Sequence, residues 1–174
     1  MPPRRPACFL DRDGVLNRDL GYTHRPEALE FLSGAVAAVR LLNAAGWLAI
    51  VVTNQSGVAR GYYTLEHVAA FHAEMQRRLR LEGGWIDAFY VAPWHPEGTV
   101  PEFARDHPDR KPGPGMLLRA MAEWPIDPAR SFLVGDQPRD LEAAARAGIA
   151  GHRYTGGSLA ALIRPLLGET PAGG

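Results

Sequence analysis

The chain has 174 residues, which fits one domain and leaves no room for a second of ordinary size. Its 19 basic and 19 acidic side chains cancel, so no net field draws it to nucleic acid or to an anionic membrane, and we expect neither partner. With 46% hydrophobic and 22% charged residues, the composition is that of a globular protein and excludes a disordered or fibrous one.

Five short apolar runs bounded by turn residues predict β-strands, at residues 7–10, 47–52, 86–92, 131–134 and 149–154. Helical patterns lie between them, at residues 35–45, from Thr64 to the Gly83-Gly84 pair, and at 140–147, with a further helix beginning near Gly113. Alternating strands and helices predict an α/β fold in which a parallel sheet is covered by helices on both faces. His72 lies on the apolar face of the second helix, where we expect a buried core histidine.

We expect a single domain over residues 1–174. Residues 93–115 are rich in proline and glycine, and a loop of that length in a compact domain is usually functional, so we expect it to shape the substrate site. We expect residues 168–174 to form a frayed tail. The stretch between Asp13 and Thr53 is filled by one helix and a short loop, which leaves no room for a large cap domain.

A single cysteine, Cys8, rules out an intrachain disulfide and a zinc site made of several thiolates. A chain with so little cysteine suits the reducing cytoplasm, where we expect it. No apolar run approaches the ~18 residues that cross a membrane, and the apolar stretch near the start is too short for a signal peptide. Without a heptad pattern, we expect a monomer.

The carboxyl ends of parallel strands meet at one edge of a sheet, where ligands of such folds bind. The loops expected at that edge are Asp11-Arg-Asp13-Gly14, Thr53-Asn-Gln-Ser56, Arg110-Lys111-Pro112, and Gly135-Asp136 with Asp140. The first two have turn chemistry as an ordinary alternative and Asp140 has helix capping, whereas Asp136 has no such alternative. Together they supply carboxylates, which suit Mg²⁺ better than zinc, and donors for phosphoryl oxygens.

Lys111 is the one lysine among 19 basic residues, since the other 18 are arginine. Chance could place it there, but a single lysine also indicates a site that needs a compact point charge. Arg110 beside it adds a planar fork, and the pair suits a phosphate together with a second anionic group.

The four ordered motifs resemble those of the haloacid dehalogenase (HAD) superfamily of phosphotransferases, over most of the chain. The resemblance implies a three-layer Rossmann-like fold. Within the superfamily, residues 52–64, 95–98 and 110–116 resemble the branch that contains the heptose bisphosphate phosphatases and the histidinol-phosphate phosphatases.

The resemblance also implies a role for each matching residue. Asp11 would be the nucleophile that forms an aspartyl-phosphate, and Asp13 would act first as acid and then as base. Asp11, the carbonyl of Asp13 and Asp136 would hold Mg²⁺, while Thr53 and Lys111 would bind the transferring phosphoryl group. The rest of the substrate would be recognised by Asp19, Tyr22, Asn54, Gln55, Ser56 and Arg110.

Many relatives in this branch carry a structural zinc on the long loop, held by a Cys-x-His and a Cys-x-Cys pair. The matching positions here are Ala92, Trp94, His107 and Asp109. None of them offers a thiolate, and the two histidines of the loop, His95 and His107, make a poor structural site alone. We therefore predict no structural zinc, and we expect proline stiffness and the packing of Trp94 and Phe103 to hold the loop.

These features favour a Mg²⁺-dependent phosphomonoesterase acting on a small phosphorylated metabolite. The expected reaction removes the 7-phosphate of D-glycero-D-manno-heptose 1,7-bisphosphate, and histidinol phosphate is the alternative substrate. A non-catalytic phosphate-binding module is the alternative of another class. Asp13 argues against that module, because a binder needs no acid/base group beside a nucleophile.

Overall fold

The computed structural model describes residues 1–168, so the predicted frayed tail lies outside the described residues except for Gly168. The strands are β1 (Ala7–Leu10), β2 (Leu48–Asn54), β3 (Ala88–Ala92), β4 (Phe132–Gly135) and β5 (Ala150–Arg153). The α-helices are α1 (Ala35–Ala44), α2 (Leu65–Leu81), α3 (Gly115–Glu123), α4 (Pro138–Ala147) and α5 (Leu159–Ile163). Residues 93–114, between β3 and α3, form neither a helix nor a strand.

The five strands form one parallel sheet in the order β3-β2-β1-β4-β5. Alternate side chains of β1 enter different apolar layers, as the two-residue repeat of a strand requires. Cys8 and Leu10 pack with α1, α2 and α5, whereas Ala7 and Phe9 pack with α3 and α4. The predicted three-layer α/β fold is thereby confirmed.

The chain order leaves β1 at the centre, because the path leads to β2 on one side and later to β4 on the other. The carboxyl ends of these three strands therefore meet around the point where the strand order reverses, the usual ligand position of such sheets.

Most predicted boundaries hold within two residues, and the differences have local causes. β2 continues past Val52 because Thr53 and Asn54 still pair with β3. Helix α4 begins at Pro138, before Asp140, because Gln137 is its N-cap and Asp140 completes a capping box as the third helical residue. Helix α5 was not predicted, since five residues are too few for a helical period to be read. No helix within residues 1–168 is both long and apolar enough to pass through a membrane.

His72 of α2 is the buried core histidine that the sequence predicts. Its ring is stacked on Phe89, with 4.3 Å between the ring centroids. Its Nε2 lies 3.3 Å from a guanidinium nitrogen of Arg12 and, because arginine only donates, accepts a hydrogen bond from it. Burial, helped by the Arg12 charge, lowers the pKa of His72 to about 3.

The neutral His72 ring should make the fold sensitive to acid. The unfolded chain binds a proton here below about pH 6.5 and the folded chain only near pH 3, so this contribution to stability is complete above pH 6.5 and is lost as the pH falls towards 3. Between pH 7 and pH 4, we expect a His72→Phe variant to lose about 3 kcal/mol less unfolding free energy than the wild type in urea titrations. Equal losses in the two proteins would contradict this explanation.

Candidate active site

A cleft of about 360 Å³ lies at the carboxyl edge of the sheet. The predicted site residues that line it come from every loop named by the sequence: Asp11, Asp13, Asp19, Tyr22, Asn54, Gln55, Ser56, Arg110, Lys111 and Asp136. Thr53 does not line the cleft; it is 1% exposed, and its Oγ1 accepts a hydrogen bond from the Gln55 side chain at 2.8 Å.

Lys111 lies at the floor of the cleft with its side chain 2% exposed. Its Nζ donates to Asp11 Oδ1 at 2.9 Å, to Asp140 Oδ1 at 2.7 Å and to the Val52 carbonyl at 2.9 Å. The three acceptors use all three protons of the ammonium. Lys111 therefore joins the ends of β1 and β2 to the first turn of α4.

The segment that carries Lys111 is itself fixed by Asn54. The Asn54 side chain donates to the Lys111 carbonyl and accepts from the Lys111 backbone N–H, both at 3.0 Å. The Asn54 amide thus connects the end of β2 to the end of the long loop by two hydrogen bonds.

Asp11 has one oxygen held and one open. Within residues 1–168, both of its protein hydrogen bonds go to Oδ1, from Lys111 Nζ and from the backbone N–H of Arg12, each at 2.9 Å. Its Oδ2 has no protein donor there, although the carboxylate lines the cleft. An oriented carboxylate with one oxygen left open is the arrangement a nucleophile needs.

The buried charges at the floor do not balance, since three carboxylates face one ammonium. Burial raises the pKa of Asp11 to about 7 against the opposing effect of Lys111, and the charges of Asp140 and Asp136 add to the rise. Burial alone would lower the pKa of Lys111, but Asp11 and Asp140 outweigh it and leave that pKa above its ordinary value. Burial is thus the main cause for Asp11 and the two carboxylates are the cause for Lys111, and a divalent cation would offset the negative charge that contributes to both shifts.

The carboxylates fit such a cation. Oxygens of Asp11, Asp136 and Asp140 lie within 4.8 Å of one another, and no other such group of acidic, histidine or cysteine side chains occurs in the described part of the chain. Asp136 Oδ1 is buried without a hydrogen-bond partner in residues 1–168. Gly14, with φ of +84°, makes the approach possible, because a Cβ there would lie 2.3 Å from Asp136 Oδ2. An all-oxygen cluster of this kind suits Mg²⁺.

Asp13 is held by four donors. The Arg12 guanidinium donates from Nε to Oδ1 at 2.9 Å and from a terminal nitrogen to Oδ2 at 3.1 Å. Asn17 donates to Oδ1 at 3.0 Å and Gln55 to Oδ2 at 3.2 Å. The Asp13 side chain nevertheless keeps 20% of its surface exposed, and it lines the cleft.

The mouth of the cleft is cationic. Arg60, Arg110 and Arg139 line it. Burial lowers the pKa of Arg110, and the charges of Arg139 and Arg60 add to the effect. Tyr22 lies at the same rim with φ of +52°, a strained value for a residue with a Cβ.

Sequence reasoning missed several of these residues. Arg12 is not among the predicted site residues, although a charge directly after a buried strand indicates a buried ion pair. Arg60 lies in the stretch 52–64 that resembles the branch, but no role is predicted for it, and Arg139 carries no sequence signal; both meet Arg110 only through the fold. Asp140 is predicted mainly as a helix cap; it is one, and its Oδ1 also accepts from Lys111.

The long loop is held by contacts of Trp94, Phe103, His107 and Asp109. The Trp94 and His107 rings are stacked, with 3.5 Å between centroids and 7° between planes. Asp109 forms an ion pair with Arg119 of α3 at 2.6 Å. Phe103 packs against the cluster of Val58, Tyr63 and Val68.

Comparisons with known proteins identify the family of the chain. A family model described as HAD-hydrolase-like matches residues 109–163. The chain is 45% identical over 167 residues to D-glycero-β-D-manno-heptose-1,7-bisphosphate 7-phosphatase of Rhodopseudomonas palustris, covering 96% of this chain and 93% of the relative. It is 43% identical over 144 residues to the enzyme of that name from Escherichia coli K12, covering 83% of this chain and 75% of the relative.

Among solved structures, the D,D-heptose 1,7-bisphosphate phosphatase of B. bronchiseptica, complexed with magnesium and phosphate, superposes with a TM-score of 0.82 at 32% identity, covering 94% of this chain and 99% of that one. Extended sequence identity, a shared fold and the converging motifs lead to one conclusion: the chain belongs to the HAD-like phosphatase family that contains these heptose bisphosphate phosphatases.

Proposed function

We propose that this protein is a Mg²⁺-dependent phosphatase that removes the 7-phosphate of D-glycero-D-manno-heptose 1,7-bisphosphate through an aspartyl-phosphate. The observation that carries the proposal is the Asp11 carboxylate, held through Oδ1 by Lys111 and open at Oδ2 on the floor of the cleft. The names of the relatives supply the substrate.

In the first step, Asp11 Oδ2 attacks phosphorus and the bond between phosphorus and the sugar oxygen breaks. Asp13 gives its proton to that oxygen, so the sugar leaves as an alcohol. Asp13 then takes a proton from water as the water attacks phosphorus, which releases inorganic phosphate and restores the Asp11 carboxylate. General acid–base help of this kind contributes about 10²–10⁴-fold.

Mg²⁺ would be held by Asp11, the carbonyl of Asp13 and Asp136, and when bound it neutralises phosphoryl charge that would otherwise repel a carboxylate nucleophile. Lys111 supplies the second positive charge at that place. Thr53 would bind the transferring phosphoryl group with Lys111, after its Oγ1 gives up the hydrogen bond from Gln55, and Gln55 would contact the rest of the substrate.

The charge at the mouth favours the sugar bisphosphate over histidinol phosphate. A second phosphate is complemented by Arg60, Arg110 and Arg139, whereas the ammonium group of histidinol phosphate would be repelled by them. Asp19, Tyr22, Asn54 and Ser56 would contact the sugar between the two phosphates. Action as a monomer in the cytoplasm, and one domain over the whole chain, belong to the same proposal.

A panel of phosphate esters tests the substrate. With Mg²⁺ present, kcat/KM for the heptose bisphosphate should exceed kcat/KM for histidinol phosphate by at least about 10-fold. One complementary charge contact with the second phosphate is enough to change binding by that factor. The product should keep its phosphate at C1. Preference for histidinol phosphate, or equal rates after Mg²⁺ is removed with EDTA, would contradict the proposal.

Asp11→Asn tests the nucleophile. The neutral amide cannot form an acyl phosphate, so kcat should fall by about 10⁴-fold or more. The matched control is Asp127→Asn, which neutralises an aspartate before β4, at the opposite edge of the sheet, and should leave kcat unchanged. Rapid acid quench should trap labelled phosphate on the wild type and none on the Asp11 variant; retained turnover would refute the assignment.

A chelation experiment tests the prediction that no zinc supports the loop. After treatment with a chelator strong enough for zinc and return of Mg²⁺, the melting temperature should equal its starting value, because the Trp94–His107 stack needs no metal. A lasting decrease in the melting temperature, together with zinc found by elemental analysis, would overturn the prediction.

A further inference from the structure

Arg12 is a charged side chain with no exposed surface, placed directly behind the two aspartates of the cleft. Burying a guanidinium is costly unless each nitrogen finds an acceptor. The cleft residues already described do not explain why an arginine should be buried there.

Each nitrogen of the Arg12 guanidinium has an acceptor. Nε and Nη2 form a bidentate ion pair with the Asp13 carboxylate. Nη2 also donates to the Thr23 carbonyl at 2.6 Å, and Nη1 donates to His72 Nε2 at 3.3 Å. The ring of Phe71 lies 4.3 Å from the guanidinium carbon. The group is thus fixed from three sides before it meets Asp13.

From this geometry we infer that Arg12 is a positioning residue, which holds the Asp13 carboxylate in the orientation that proton transfer to the leaving sugar oxygen requires. The inference rests on the proposed function, because it gives Asp13 the acid/base role. A fork fixes both the place and the plane of a carboxylate, which a single hydrogen bond does not.

The four donors on Asp13 are not equivalent. Gln55 makes the longest of the four bonds, at 3.2 Å, and shares the same nitrogen with Thr53 at 2.8 Å. Asp13 Oδ2 also accepts from Arg12 at 3.1 Å, so it is the oxygen that can exchange the Gln55 donor for a proton while Arg12 keeps the carboxylate in place.

The leaving group separates this role from a merely structural one. A sugar alkoxide is strongly basic and needs a proton as it leaves, whereas p-nitrophenolate leaves without one. Since kcat/KM reports events up to the first irreversible step, it excludes the later hydrolysis of the aspartyl-phosphate. Loss of proton donation should therefore lower kcat/KM for the heptose bisphosphate and spare kcat/KM for p-nitrophenyl phosphate.

The first variant is Arg12→Lys, which keeps the positive charge but cannot form the fork. We expect kcat/KM for the heptose bisphosphate to fall about 10²-fold and kcat/KM for p-nitrophenyl phosphate to change less than about 3-fold. Equal losses for both substrates, or no loss for either, would overturn the inference. A wild type inactive on the heptose bisphosphate would instead overturn the proposed function.

A second pair of variants acts through His72 and avoids altering the buried arginine. His72→Phe keeps the ring against Phe89 but removes the acceptor for Arg12, whereas His72→Gln keeps an acceptor and loses the ring. We expect a loss confined to the sugar substrate in His72→Phe and its recovery in His72→Gln. Activity on the sugar substrate that is kept in His72→Phe and lost in His72→Gln would depend on the ring and not on the acceptor. That result would show a structural role for His72 and contradict the inference.

Discussion

The ammonium of Lys111 donates to acceptors from three separate parts of the chain, and the remainder of the site depends on those bonds. They hold Asp11 after β1, Val52 in β2 and Asp140 in α4 together around the Lys111 side chain, which is 2% exposed to solvent. Asn54 fixes the backbone of Lys111 in turn, so the long irregular segment after β3 ends at a defined position.

The same contacts leave the floor of the cleft with more negative than positive charge. Such a cluster is destabilising by itself, since buried like charges repel, and the two apolar layers around the sheet must offset its cost. Close approach at Gly14 and at Gly135, where a Cβ would lie 2.2 Å from the Asp140 Cβ, brings the carboxylates together. The proposed function accounts for this arrangement, because a divalent cation would offset the excess negative charge.

Sequence reasoning reached the fold and the floor of the cleft because both depend on patterns that are local in the chain. Apolar runs mark strands, glycines mark helix ends, and Asp11 and Asp136 follow such runs, whereas Lys111 is marked as the one lysine of the chain. Partners that lie far apart in sequence could not be predicted in this way. The contact of Arg12 with His72 spans 60 positions. The mouth of the cleft is lined by Arg60, Arg110 and Arg139, which are also far apart in the chain. The second role of Asp140 was hidden for another reason, because a helix cap already accounts for an acid at that position.

The proposed reaction depends most on Asp11 Oδ2 as the atom that accepts the phosphoryl group. A crystal structure of the protein with Mg²⁺ and beryllofluoride, which mimics a phosphorylated aspartate, tests this role directly. We expect beryllium bonded to Asp11 Oδ2, with Lys111 Nζ within hydrogen-bond distance of a fluorine. Beryllofluoride attached to another side chain, or bound in the cleft without a bond to Asp11, would contradict it.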